Sequence, residues 1–318
     1  MTSPASITVV AETALALYPI LLKNIPANLT TQLTARTATY AILAYILASA
    51  SDVARAFTGG LTQTILYSVL NLVHIGVSYA SYKLLPAGNS LALFYTYPFW
   101  NMLLGWLFLG DSVSLRSILL LAVAFIGTYM VAKNSAIETF QDASKEKEED
   151  TNTTSSLGVL LGLGSAFTES LIFLLVKSPE SPSPFLSMLQ LYPLAAAVIF
   201  GYGLWTNSYS DSISDVHDNH IYSSNSKDTS KDTDKDAPKE STIGNTWIPL
   251  ILFNACIGFV GYALRFYAIP KLSTAVFSIL SVIGVVAAYV FQLMFTPEKI
   301  NGLAAFGSLL IAGAAGLA

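Results

Sequence analysis

Charge is what this sequence has least of. Only 11% of its 318 residues are Asp, Glu, Lys or Arg, while 53% are hydrophobic and the mean hydropathy is +0.57. A soluble domain keeps its surface in water with about a quarter of charged residues, so a water-soluble globule is excluded. The charge that exists is clustered. Of 20 acidic residues, 6 lie between Glu138 and Asp150 and 8 between Asp211 and Glu240, leaving 6 against 10 basic residues in the apolar body. The net charge of -4 therefore belongs to two polar stretches and names no partner; nucleic acid is not expected as one.

Cysteine is nearly absent as well. The single Cys256, in an apolar run, excludes a disulfide framework and speaks against a thiolate metal site. No Lys or Arg precedes Lys23, and Glu12 interrupts the first apolar stretch. A signal peptide needs a basic start and an unbroken apolar centre, so the first stretch reads as a retained helix. The phosphate loop G-x-x-x-x-G-K-[ST] is missing, which speaks against ATP-driven pumping, and so is a G-x-S-x-G elbow. Neither an enzyme nor a cofactor is expected.

What is present is apolar length. A bilayer-crossing helix needs about 20 mostly apolar residues, and ten segments qualify: 6–23, 27–50, 62–83, 87–109, 113–133, 157–177, 184–205, 247–268, 272–295 and 299–318. Breakers stand between or near them, at Pro26, Gly59 and Gly60, Pro86, Gly110, Pro182 and Pro184, Pro270 and Pro297. Residues 134–156 and 206–246 are polar, acidic and almost free of large apolar side chains, a composition that cannot bury enough surface to fold. The expectation is an all-α polytopic membrane protein of ten transmembrane helices. Short loops carry Arg55, Arg116, Lys177, Arg265 and Lys271 on one face and Lys23, Lys83, Lys133 and Lys299 on the other, which gives no inside–outside bias. Plasma membrane and endomembrane fit equally.

The chain also repeats itself. At an offset of 183, Asn71, Val77, Tyr79 and Ala80 fall on Asn254, Val260, Tyr262 and Ala263. One residue of slippage later Pro86 matches Pro270, and Phe108 to Asp111 faces Phe295 to Glu298. Two halves of five helices each must lie inverted to one another, the architecture of many secondary transporters, whose site lies near the midplane. The expected organisation is a first repeat over 1–133, a disordered acidic linker at 134–156, and a second repeat over 157–318 interrupted by the acidic loop 206–246.

Residues 79–132 resemble the EamA-type branch of the drug/metabolite transporter superfamily. They hold a short polar turn with Pro86-Ala87, an apolar helix with Pro98 within it, Asp111 after Leu109-Gly110, and a last helix containing Gly127. Ile25 to Arg36 resembles the family's second helix with its arginine, and in the second half Ala263 to Pro270 and Phe295 to Glu298 fit. Tyr192 stands about where a second arginine would, and Ser281-Val282 replaces an acid–proline pair. The resemblance implies a carrier, with substrates in the family ranging over amino acids, amines, drugs, nucleotide sugars and sugar phosphates. Paired basic residues suited to phosphate are absent from the ninth segment.

A charge within a span costs about 2.5–3.5 kcal/mol near its centre and so faces a cavity or a partner. Glu12 and Glu169 occupy corresponding helices of the halves and can form a carboxylate pair that takes up and releases protons; the alternative is that Glu12 pairs with Arg36 next door. Tyr67, Asn71, His74, Ser78 and Tyr82 share one face of the third helix, and Asn254, Gly258, Tyr262 and Arg265 form a like stripe on the eighth. Helix-to-helix hydrogen bonding explains such stripes as well as a pathway does, but their recurrence with His74 and Arg265 favours a cavity wall. The candidate substrate or coupling residues are Glu12, Arg36, Asn71, His74, Tyr79, Tyr97, Asn101, Glu169, Asn254, Tyr262 and Arg265. The expected function is secondary transport of a small polar metabolite such as an amino acid, with proton coupling and a homodimer left open. A nucleotide-sugar carrier, or a receptor or lipid-handling protein on the same fold, are the alternatives.

Overall fold

The computed structural model describes residues 3–23, 25, 27–84, 90, 93–143, 151–177, 183–209, 247–295 and 302–318. Among them there are helices and turns, and no strand. In chain order the helices are α1 (Pro4–Lys23), α2 (Leu29–Leu47), the short α3 (Ala50–Ala54), α4 (Leu61–Leu84), α5 (Tyr97–Leu109), α6 (Leu115–Ala143), α7 (Thr151–Lys177), α8 (Pro184–Leu191), α9 (Pro193–Trp205), α10 (Trp247–Ala268), α11 (Thr274–Ser281), α12 (Ile283–Phe295) and α13 (Gly302–Gly316).

Five stretches are long and apolar enough to cross a membrane: Leu61–Ser81, Ser156–Lys177, Pro184–Trp205, Ile248–Lys271 and Thr274–Phe291. Pro4–Tyr18, Leu115–Val131 and Gly302–Gly316 are shorter apolar helices. The polarity runs inside out. Ile46, Leu66, Phe108, Phe200, Phe253 and Leu309 stand exposed, while Glu12, Asn101, Glu169 and Arg265 are buried. An apolar exterior around a polar interior has hydrocarbon, not water, as its solvent.

Segments expected as single helices are broken midway. Pro193 lacks an N–H and its ring pushes against the carbonyl four residues back, so 184–205 divides at Tyr192 into α8 and α9. The carbonyls of Gln190 and Leu191 are then served from α4, by Ser68 Oγ at 2.7 Å and Asn71 Nδ2 at 3.0 Å. The stretch 272–295 divides at Val282, and α5 starts only at Tyr97, after a turn at Tyr95 and Thr96. The two breaks touch, because a Cβ on Gly284 would lie 2.5 Å from the Tyr95 hydroxyl.

The linker expected at 134–156 carries helix at both ends: α6 continues to Ala143 and α7 begins at Thr151. A helix already nucleated in an apolar span propagates at little cost into sequence such as Ala136 to Ala143. Residues 144–150 of that linker, 210–246 of the acidic loop with His217 and His220, and the breakers Pro26, Pro86, Pro182 and Pro297 lie outside the described residues.

The principal packing partners are α6 with α13, α4 with α7, α1 with α10 and α12, α2 with α9 and α10, α5 with α7 and α11, and α4 with α8 and α9. The α6–α13 crossing depends on two facing glycines. A Cβ on Gly127 would stand 2.5 Å from the Gly307 carbonyl oxygen, and one on Gly307 would stand 2.6 Å from that of Gly127. Backbone cannot yield as a side chain can, so the helices would have to separate. Gly307→Val is expected to cost about 1–3 kcal/mol by overpacking. Thermal unfolding in detergent checks it, and an unchanged midpoint would mean that this contact does not hold the helices.

Candidate functional site

The bundle interior holds a charged network built from four helices. Arg265, near the end of α10, is 2% exposed and lies between two carboxylates. Its Nη1 is 2.8 Å from Glu169 Oε1 on α7, and its Nε is 3.3 Å from Glu12 Oε1 on α1. The other Glu169 oxygen, Oε2, is 3.2 Å from His74 Nε2 on α4. His74 Nδ1 is 3.0 Å from Thr168 Oγ1, and that hydroxyl lies within reach of the Gly164 carbonyl at 2.9 Å. Tyr97 donates its hydroxyl to Glu12 Oε2 at 3.4 Å from the first turn of α5, and its ring lies 4.8 Å from the Arg265 guanidinium carbon. The α5 start that places Tyr97 is pinned by Ser170 Oγ, which donates to the Tyr97 carbonyl at 2.9 Å.

Glu12 thus pairs with Arg265 and not with Arg36, the neighbour on α2 that sequence proximity suggested. Helix packing decides this, since α1 lies along α10 and brings Glu12 to Arg265. Arg36 has no carboxylate partner among the described residues. Its guanidinium is instead enclosed by the rings of Tyr18, Tyr40 and Tyr262, at 4.6, 5.4 and 5.5 Å, and its Nη1 donates to the Tyr79 hydroxyl at 3.4 Å. Tyr262 also lies 5.8 Å from Arg265, so one ring separates the caged cation from the ion network.

Of the eleven candidate residues, Glu12, His74, Tyr97, Glu169 and Arg265 form the network, and Arg36, Tyr79 and Tyr262 form the cage beside it. Asn71 and Asn254 sit elsewhere: Asn71 serves the Leu191 carbonyl, and Asn254 Nδ2 donates to the Tyr18 carbonyl at 3.3 Å. Further along the α4 stripe Ser78 shares a hydrogen bond of 2.5 Å with Ser165, and Ser81 bonds Ser90. Much of that stripe therefore ties helices together, with His74 as its charged-site member. Asn101 is wholly buried, and neither of its amide atoms has a partner among the described residues; the Ser278 hydroxyl is likewise unpaired. An orphaned buried polar group costs about 1–3 kcal/mol unless water or ligand satisfies it.

Sequence reasoning missed Tyr18, Tyr40 and Thr168. Tyr40 was open to it, because Arg36 and Tyr40 stand four apart on one face of α2. Tyr18 was not, because its place beside Arg36 depends on α1 and α2 both packing against α10. Asp111, expected only as a turn acid after Gly110, accepts a hydrogen bond from Thr274 Oγ1 at the start of α11.

An all-helical chain with an apolar exterior and charges held inside is a multi-pass integral membrane protein. Residues 3–133 match the model of the EamA-like transporter family, part of the drug/metabolite transporter superfamily. A solved structure described only as the crystal structure of a protein has a TM-score of 0.60 at 16% identity, over 99% of this chain and 98% of that one. At that identity the likeness is one of fold. No curated protein matches the chain.

Proposed function

We propose that this protein is a secondary carrier that moves a small polar metabolite, an amino acid or a related compound, across a membrane by alternating access, with protons as the coupling ion. The observation that carries the proposal is the network of Glu12, Arg265, Glu169 and His74. It draws α1 and α4 from the first half and α7 and α10 from the second, and it places two carboxylates on one guanidinium where hydrocarbon surrounds the bundle. Charge of that kind is costly in a membrane and marks ion and substrate pathways. Arg265 releasing one carboxylate while holding the other is a means of exchanging a proton or a substrate ammonium group. The orphaned Asn101 and Ser278 add polar atoms that a passing ligand can satisfy.

Two inverted repeats, over 1–133 and 157–318, are the architecture that goes with this reading. Exchanging each helix for its mate five segments on turns α4 against α7 into α10 against α1. The same exchange turns α5 against α7 into α12 against α1, and α4 against α8 and α9 into α10 against α2. Of the other contacts, α6 with α13, α2 with α8 and α9, and α5 with α11 join mates, while α12 with α13 has no counterpart of like extent. That pattern supports a pseudo-two-fold relation and a rocking motion about the shared centre. A nucleotide-sugar carrier is less well served, since Arg36 alone among the described cations of the interior lacks an acid, and a pyrophosphate carries more than one charge.

Reconstitution into proteoliposomes tests the proposal. Uptake of a panel of amino acids and related metabolites is expected to rise when a pH gradient is imposed and to collapse with a protonophore. Absence of flux for every member, with or without the gradient, would move the non-transporting alternatives to the front.

A further inference from the structure

The cage around Arg36 has features that structural packing alone does not call for. Three tyrosine rings present their faces to the guanidinium carbon, its Nη1 reaches the Tyr79 hydroxyl at 3.4 Å, and its buried Nε has no hydrogen-bond partner among the described residues. Cation–π contacts offset part of the cost of taking this charge out of water, but they supply no counter-charge. Arg265 shows what a committed arginine looks like in the same bundle, with a carboxylate on each side. Space for the cage is built in at Gly258. A Cβ there would collide with the Tyr40 hydroxyl and come within 3.2 Å of Tyr18 Cδ2.

The N–H groups of a guanidinium point outward in one plane along its edge, and on Arg36 the Nε end of that edge is unpartnered among the described residues. That edge is the geometric match for a carboxylate, which accepts two parallel hydrogen bonds. One positive charge suits a monoanion; a phosphate dianion would leave a net charge buried in the span. The neighbouring network has the opposite balance, two carboxylates to one guanidinium, and the Tyr262 ring lies within 6 Å of the guanidinium carbons of both Arg36 and Arg265. An anion-binding edge beside a net-negative cluster is the polarity of a zwitterion.

We infer that the tyrosine cage of Arg36 is the carboxylate subsite for the cargo, which makes the cargo an amino-acid zwitterion with its carboxylate edge-on to Arg36 and its ammonium toward Glu12 and Glu169. The inference rests on the carrier reading for the word cargo, but the subsite itself is a binding claim and is testable without flux.

The test is ligand-induced thermal stabilisation of the full-length protein in detergent, with the twenty common L-amino acids as probes, followed by titration of each binder and of its primary amide. At least one amino acid is expected to raise the unfolding midpoint, and its amide, which keeps the ammonium and side chain but lacks the anion, is expected to bind roughly tenfold to a hundredfold more weakly. Arg36→Gln is expected to weaken the acid to about the level of the amide, and Arg36→Lys, which keeps the charge without the fork, to fall between. Equal binding of acid and amide, full binding by Arg36→Gln, or no binder in the panel would overturn the subsite. The acid–amide comparison is made on the wild type, so it decides even if a variant fails to fold. Carboxylate-dependent binding without any flux would sink the carrier reading and leave the subsite standing; flux indifferent to the carboxylate would do the reverse.

Discussion

Arg265→Met is expected to be the most destabilising single change in this protein, costing about 3–5 kcal/mol, because it leaves two buried carboxylates facing each other without a cation. Methionine fills a comparable volume with an unbranched side chain, so lost packing contributes little to the effect. Glu12 loses its contact at 3.3 Å and Glu169 the one at 2.8 Å, and His74 Nε2, at 3.2 Å, is the neighbour that Glu169 keeps. The triple variant Glu12→Gln, Glu169→Gln, Arg265→Met removes all three charges together and is expected to recover most of the lost stability while remaining inactive. Unfolding in detergent measures both. A single variant as stable as wild type would show that Arg265 does not hold the two carboxylates, and a triple variant no better than the single would place the cost in packing.

On the carrier reading, Glu169→Gln is the change expected to alter transport most. Glu169→Gln keeps an amide oxygen for Arg265 Nη1 but cannot bind and release a proton, and it gives His74 Nε2 a neutral neighbour. Uptake driven by a pH gradient is expected to drop to the level seen without one, while substrate exchange at equal pH on both sides continues. Glu12 sits on the same guanidinium through Nε and takes a hydrogen bond from Tyr97, but has no histidine beside it. On the carrier reading proposed above, Glu169 is therefore the carboxylate at which coupling is tested first. Proteoliposome uptake with and without the gradient separates the outcomes: full gradient-driven uptake by the variant removes Glu169 from coupling, and loss of exchange as well makes it a binding or structural group.

The helix breaks connect the site to the fold. Tyr97 reaches Glu12 because α5 restarts at its position, and the restart is held by Ser170 from α7 and by the approach of Tyr95 to Gly284. The break at Tyr192 frees carbonyls that Ser68 and Asn71 satisfy from α4. In lipid such unwound backbone survives only where protein or a cavity supplies partners, and these breaks lie beside the network.

Much of this was legible in the sequence. Scarcity of charge fixed the solvent as lipid, and ten apolar segments with breakers near them fixed a helical bundle. Glu12 and Glu169 stood out because a carboxylate in such a segment has to be explained. The repeat placed Tyr79 opposite Tyr262, and both contact Arg36. Helical periodicity also found the α4 and α10 stripes. It could not divide them between glue and site, because the same spacing brings Asn71 to a carbonyl and His74 to a carboxylate.

Partnership belonged to the tertiary structure. Nearness in sequence suggested Glu12 with Arg36, and the helix packing gave Glu12 to Arg265 instead, leaving Arg36 among tyrosines. Periodicity reports which face of a helix a residue occupies, which is a local matter of 3.6 residues per turn. Which helix lies across that face is settled by close approaches such as Gly127 with Gly307 and Gly258 with Tyr40, made between segments far apart in the chain. The sequence alone determined that charges are buried in this membrane protein; only the packing of its helices decided which of them meet an opposite charge and which stands among tyrosines without an acid.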